Sequence, residues 1–210
     1  MKKNLFKNIL LIVLFLFKNN AISQIQENKI INKNIHTVLL HLEGDPLSYP
    51  IIKLNSLDKL QLSFDDFNDE FQEYYYSIYH CNSDWTLSDL MQSEYIDGFF
   101  ENKISDYEYS FNTLVSYKNY KLIFPEQILK PKLSGNYIIS VFTNNNPEEI
   151  VLQKRFKILE EKISINAKVK RSTLINKRLY NHEIDFNIDY GNMYIANPYS
   201  DIKIIIKQNN

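Results

Sequence analysis

The run His80-Cys81-Asn82-Ser83-Asp84 puts an imidazole, a thiol, a hydroxyl and a carboxylate within five residues. In other settings that set ligates a metal ion or builds a thiolate nucleophile. Here the preceding residues, Tyr74 to Tyr79, are rich in tyrosine and read as a strand, in which successive side chains point to opposite faces. His80 and Cys81 are then directed apart and cannot share one ion or one proton. The expected role is a strand end whose Asn, Ser and Asp bond to their own turn.

Two acidic groups invite the same test. Asp66, Asn68 and Glu70 alternate as the oxygen ligands of a calcium loop do, but the sixth position is Phe71, where the sharp turn needs glycine. The twelfth is Ser77 in place of a bidentate glutamate, so a solvated acidic turn is expected. Glu94, Asp97 and Glu101 offer carboxylates for glycoside hydrolysis, yet acids that flank a scissile bond are held by separate elements, and these share one local segment broken by Gly98. Nucleophile elbows, phosphate-cradling glycine loops and paired zinc histidines are absent. We therefore expect no catalytic residue, no cofactor and no metal site.

The elements that position these residues are strands. Ile184, Phe186 and Ile188 alternate with Asp185 and Asn187, as do Leu60, Leu62 and Phe64 with Gln61 and Ser63, and Ile202, Ile204 and Ile206 near the end. Period two marks a half-buried strand. Runs at Thr37–Leu42, Tyr49–Leu54, Tyr74–His80, Tyr120–Phe124, Tyr137–Phe142, Phe156–Leu159 and Ile163–Val169 suit the interior of a sandwich. A helix is expected only around Ser88–Met91. The lone tryptophan, Trp85, and Tyr137 are expected in the core.

The fold class is all-β: an immunoglobulin-like or fibronectin-like β-sandwich over residues 35–159, followed at 162–210 by the start of a second, truncated β-domain. The charged joint Glu160-Glu161-Lys162 couples the two without a turn residue.

Residues 1–23 read as a signal peptide: Lys2, Lys3 and Lys7 precede a nine-residue apolar run, Ile9 to Phe17, and small residues follow at Ala21 and Ser23. The run is too short to span a bilayer, which needs about 20 helical residues. Cleavage there leaves 20 basic against 25 acidic residues, a net charge of −5. That balance, with scattered lysines, excludes a nucleic-acid footprint. A single cysteine, Cys81, excludes an internal disulfide.

Between Tyr74 and Phe142 a longer order of residues stands out: Tyr74-Tyr75-Tyr76, His80-Cys81-Asn82-Ser83-Asp84-Trp85, Glu94-Tyr95-Ile96-Asp97-Gly98-Phe99, Glu101-Asn102, Asp106-Tyr107, Ser110-Phe111-Asn112-Thr113, Tyr117, Phe124-Pro125 and Lys132-Leu133-Ser134-Gly135-Asn136-Tyr137. This resembles the plug protein of the Bacteroidota type IX secretion system. Phe100 departs from it, an apolar ring where a polar residue is expected.

The resemblance implies a non-enzymatic periplasmic protein at the inner face of the outer membrane. Its partner would be the large translocon barrel of the secretion system, whose periplasmic opening it occludes, and it would have no membrane span of its own. The expected contact is the aromatic segment at Tyr95, Asp97, Phe99 and Phe100, since aromatic anchors ringed by polar groups carry most binding energy. The alternative reading is a cell-surface carbohydrate-binding β-sandwich module presenting an aromatic platform to sugar rings.

Overall fold

A computed structural model of the chain describes residues 28–206. The expected leader and its cleavage site lie outside the described residues. The chain divides into two compact units, one ending at Leu159 and the other beginning at Glu160.

In the first unit, β1 (Lys29–Ile30), β2 (Ile35–Leu42), β3 (Ile51–Lys53), β4 (Leu60–Asp66) and β5 (Tyr74–Cys81) come first. A single helical turn, Gln92–Tyr95, leads into β6 (Ile96–Gly98), β7 (Asn102–Ile104) and β8 (Asp106–Tyr109). Then follow β9 (Lys118–Phe124), β10 (Leu129–Pro131), β11 (Gly135–Thr143) and β12 (Ile150–Leu159). The turn forms just beyond the expected Ser88–Met91, where Glu94 is free to accept the Met91 backbone N–H (2.6 Å).

One sheet runs β2-β4-β9-β8; the other runs β12-β11-β5-β7, with β1 and β3 both added beside β12. This division of strands is that of an immunoglobulin-like sandwich. All pairings within these two sheets are antiparallel except β3 with β12, where Ile52 lies beside Ile158. The core is the product of alternation: Leu60, Leu62 and Phe64 from the first sheet meet Tyr76, Ile78, Tyr137, Ile139, Leu152 and Phe156 from the second, all nearly without exposed surface. Each such side chain contributes about 1.5–3 kcal/mol on burial. The central strand β11 is buried on both faces. On its outer side Ser140 Oγ accepts from Gln153 Nε2 (2.9 Å), and the Tyr75 ring stacks over Phe142.

The alternation of β4 does not stop at Phe64 but carries Asp66 inward to full burial. The acidic turn is therefore not simply solvated. Asp66 Oδ1 accepts the Asn68 backbone N–H (2.9 Å), and opposite it Lys118, 6% exposed, donates to the carbonyls of Asn68 (2.7 Å) and Glu70 (2.9 Å). Tyr120 Oη donates to the Gln72 carbonyl (2.8 Å). Main-chain oxygens that would face a metal in a calcium loop here receive an ammonium.

In the second unit, β13 (Ser164–Arg171) and β14 (His182–Asp189) form an antiparallel hairpin. Ile165 lies opposite Ile188, Ala167 opposite Phe186 and Val169 opposite Ile184, an apolar ladder on one face. Lys170 pairs with Glu183 (3.2 Å) and Asp185 (2.6 Å). The strand expected at Ile202–Ile206 does not form; those residues carry no regular structure. Alternation gives such a segment a face, but a strand also needs a neighbour for its backbone groups, and no described strand pairs with it.

Candidate functional site

The segment expected to bind a partner is held by a small ribbon at the side of the sandwich. β6 pairs with β10 so that Ile96 faces Pro131, Asp97 faces Lys130 and Gly98 faces Leu129. Lys132 closes its end, donating its backbone N–H to Tyr95 O (2.9 Å) and its ammonium to Ser93 O (2.8 Å). Gly98 is required here: its φ is +115°, and a Cβ would stand 2.1 Å from the Ile128 carbonyl oxygen. That same oxygen accepts the Phe99 N–H (2.9 Å), so the chain must come this close to be tied down.

The ribbon separates the four expected contact residues. Phe99 is 70% exposed and Asp97 is also on the surface. Tyr95 is 3% exposed, its ring packed against His80 and Tyr137, and burial pushes its phenol pKa up. Phe100 is partly buried against the core, and its carbonyl accepts from Ser77 Oγ (2.7 Å). Tyr95 and Phe100 therefore hold the segment in place, and only Asp97 and Phe99 are presented outward. The sequence pattern gave no face to each ring, because the ribbon is too short for a period to show.

Trp85 differs from expectation as well. It is half-buried, at a left-handed turn position (φ 70°) whose N–H bonds to Asn82 O (3.0 Å). The turn carries the ring out of the core and over the Arg155 guanidinium, 4.5 Å from the ring centroid. Tyr137, by contrast, has no exposed surface and stacks on Phe156.

His80 and Cys81 point to opposite faces. His80 lies with Tyr95 and Tyr137, its Nδ1 2.9 Å from Ser88 Oγ. Cys81 is buried, and burial pushes its thiol up to about 11, so it stays protonated at neutral pH. Asn82, Asp84 and Thr86 bond among themselves, with Asp84 Oδ1 accepting Thr86 N (3.0 Å) and Thr86 Oγ1 (2.6 Å). Of the three carboxylates considered for catalysis, Glu94 caps the helical turn and all are exposed. Among the described residues, no group of three His, Cys, Asp or Glu is arranged to hold a metal ion.

Beside the ribbon lies a cleft of about 610 Å³ that the sequence did not reveal. Ile52, Leu54 and Ile158 line it together with Pro125, Ile128 and Pro131. Lysines 53, 59 and 130 and the acids Asp58 and Glu126 also line it, so strand β10 serves both the ribbon and the cleft. Such a surface can hold a partner.

The family model for the type 9 secretion system plug protein first domain matches residues 35–160. Among solved structures, a hypothetical protein from Parabacteroides merdae superposes with a TM-score of 0.75 and is 31% identical, over 83% of this chain and 44% of that one. The chain thus spans less than half the length of that relative. A DNA-bound alkylpurine DNA glycosylase of Pseudomonas fluorescens, at 11% identity and a TM-score of 0.32 over 60% of this chain and 30% of that one, is too unlike to carry an argument. No curated protein matches the chain. The matched stretch is more than half of the sequence and coincides with the sandwich, and on that ground the chain belongs to the family of type 9 secretion system plug proteins, which is not a family of enzymes.

Proposed function

We propose that this is a non-enzymatic periplasmic protein that binds the outer-membrane translocon barrel of the type IX secretion system and occludes its periplasmic opening. The match of residues 35–160 to the plug family carries this reading. The structure supports it in kind: a closure must keep its shape against a wide pore, and a sandwich whose central strand is buried on both faces is stiff. Asp97 and Phe99, presented on a ribbon that Gly98 and Lys132 fix, are the proposed contact on this unit. Pre-ordering of that kind lowers the entropy cost of association.

The test is affinity capture from native outer membranes with mass spectrometry, together with antibiotic permeability in a strain lacking the gene. Co-purification of a giant outer-membrane barrel and a leak to large hydrophilic antibiotics are expected. An intact permeability barrier in the deletion strain would reject occlusion, and glycan binding with no envelope partner would replace this reading with the carbohydrate module.

A further inference from the structure

The hairpin between β8 and β9 carries nine residues, Tyr109 to Tyr117, without a charge. At its tip Phe111 is 88% exposed, Leu114 107% and Val115 60%. The neck that holds this tip is closed by its own bonds. Ser110 N–H donates to Tyr117 O (2.9 Å), Tyr117 N–H to Ser110 Oγ (2.9 Å), and Thr113 Oγ1 to Val115 O (2.8 Å). An apolar tip held out on an ordered neck is not a frayed loop, and exposed apolar groups so placed mark an interaction surface.

The order of residue types along the hairpin says what it meets. On the first arm the exposed Asp106 and Glu108 alternate with Tyr107 and Tyr109 before the apolar tip; on the second the tip is followed by Tyr117 and then by the buried Lys118. Rings gather at the tyrosine level: Tyr117 stacks on Phe67, and Tyr107 packs against Phe71 and Tyr109. Exposed carboxylates on the first arm, tyrosine next to the tip on both arms and aliphatic or phenyl groups at the tip itself suit the interface of a bilayer. Lys118 turns its ammonium inward onto the carbonyls of Asn68 and Glu70, so the loop presents no cation to an acidic headgroup.

We propose that the tip at Phe111, Leu114 and Val115 is a shallow membrane-insertion loop that enters the headgroup and upper acyl region of a neutral phospholipid leaflet. The attachment is weak by itself and acts on a domain already held near the membrane, where effective concentration is high. It goes beyond the plug reading by assigning which end of the domain faces lipid, and vesicles free of any protein test it separately.

The experiment uses the chain freed of residues 1–23, so that the apolar leader cannot itself bind lipid, with vesicles of phosphatidylethanolamine and phosphatidylcholine. Phe111→Trp should show a blue-shifted emission on adding vesicles and quenching by bromine-labelled acyl chains. Leu57→Trp, placed at a 98% exposed site on a different turn, should show neither. The double variant Phe111→Ser with Leu114→Ser, its melt unchanged, should associate at least ~tenfold more weakly, and added salt should not weaken the wild type. An unshifted Phe111→Trp emission, equal quenching at position 57, binding confined to acidic vesicles, or capture of the tip by a protein with no response to lipid would each overturn the proposal.

Discussion

The Tyr137 hydroxyl donates to the Leu133 carbonyl, 2.8 Å away and four residues upstream. The bond pins the corner by which the chain enters β11, in the manner of the tyrosine corner of immunoglobulin-like sandwiches. Tyr137→Phe keeps the ring on Phe156 and loses the bond, and should cost about 1–2 kcal/mol. Tyr137→Ala leaves a cavity as well and should cost about 3–5 kcal/mol. Urea denaturation of both variants checks the ordering; equal losses would show that the ring alone matters.

Trp85→Ala should cost about 1–2 kcal/mol, less than a core tryptophan, because the residue is only partly buried and the ring's partner is one guanidinium. Relief of the left-handed conformation offsets part of the loss, so Trp85→Gly should be the milder of the two. A double-mutant cycle with Arg155→Met measures the pair, and a coupling near zero would show that the stacking contributes nothing.

Gly98→Ala combines a forbidden φ with a Cβ 2.1 Å from a backbone oxygen that cannot swing aside. The ribbon should open locally while the sandwich stays folded, since the two-stranded ribbon of β6 and β10 is hydrogen-bonded apart from both large sheets. Amide exchange should accelerate at Phe99 and Leu129 and stay slow along β11.

Cys81 gives a pH signature. Its folded-state pKa is about 11 against an ordinary 9.0, so folding favours the protonated thiol. Stability from this group is complete below pH 9 and is lost as pH rises toward 11, by about 2–3 kcal/mol in all. Cys81→Ala should therefore flatten the fall in stability between those values, read from denaturation curves at several pH values. The native thiol should also resist alkylation at pH 8 until denaturant is added.

Lys118→Met removes the donor from two carbonyls and buries no new charge. It should destabilise by about 2–4 kcal/mol and loosen residues 68–70, measurable by denaturation and by proteolysis at that turn.

The strands were legible where period two ran long enough. Glu183–Asp189 and Leu60–Phe64 announced β14 and β4 because a polar residue separated each apolar one. The same rule, carried one step further, places Asp66 and Lys118 inside, but an aspartate and a lysine at the end of a strand look like solvent residues until the opposing chain is known. β6, β7, β8 and β10 span three or four residues each, too few for any pattern to rise above its neighbours. For this reason the segment from Tyr95 to Phe100 could be marked as aromatic but not divided into an inward and an outward half. The tip at Phe111 escaped notice because a hairpin loop and a folded-back connection have the same composition.

A turn that closes on calcium depends on what its surroundings supply. The turn at Asn68 and Glu70 closes on Lys118, a cation attached to the chain by covalent bonds and present at fixed stoichiometry. Chelators that strip divalent ions and dismantle an envelope would leave this corner as it was, and swings in external mineral content would not reach it.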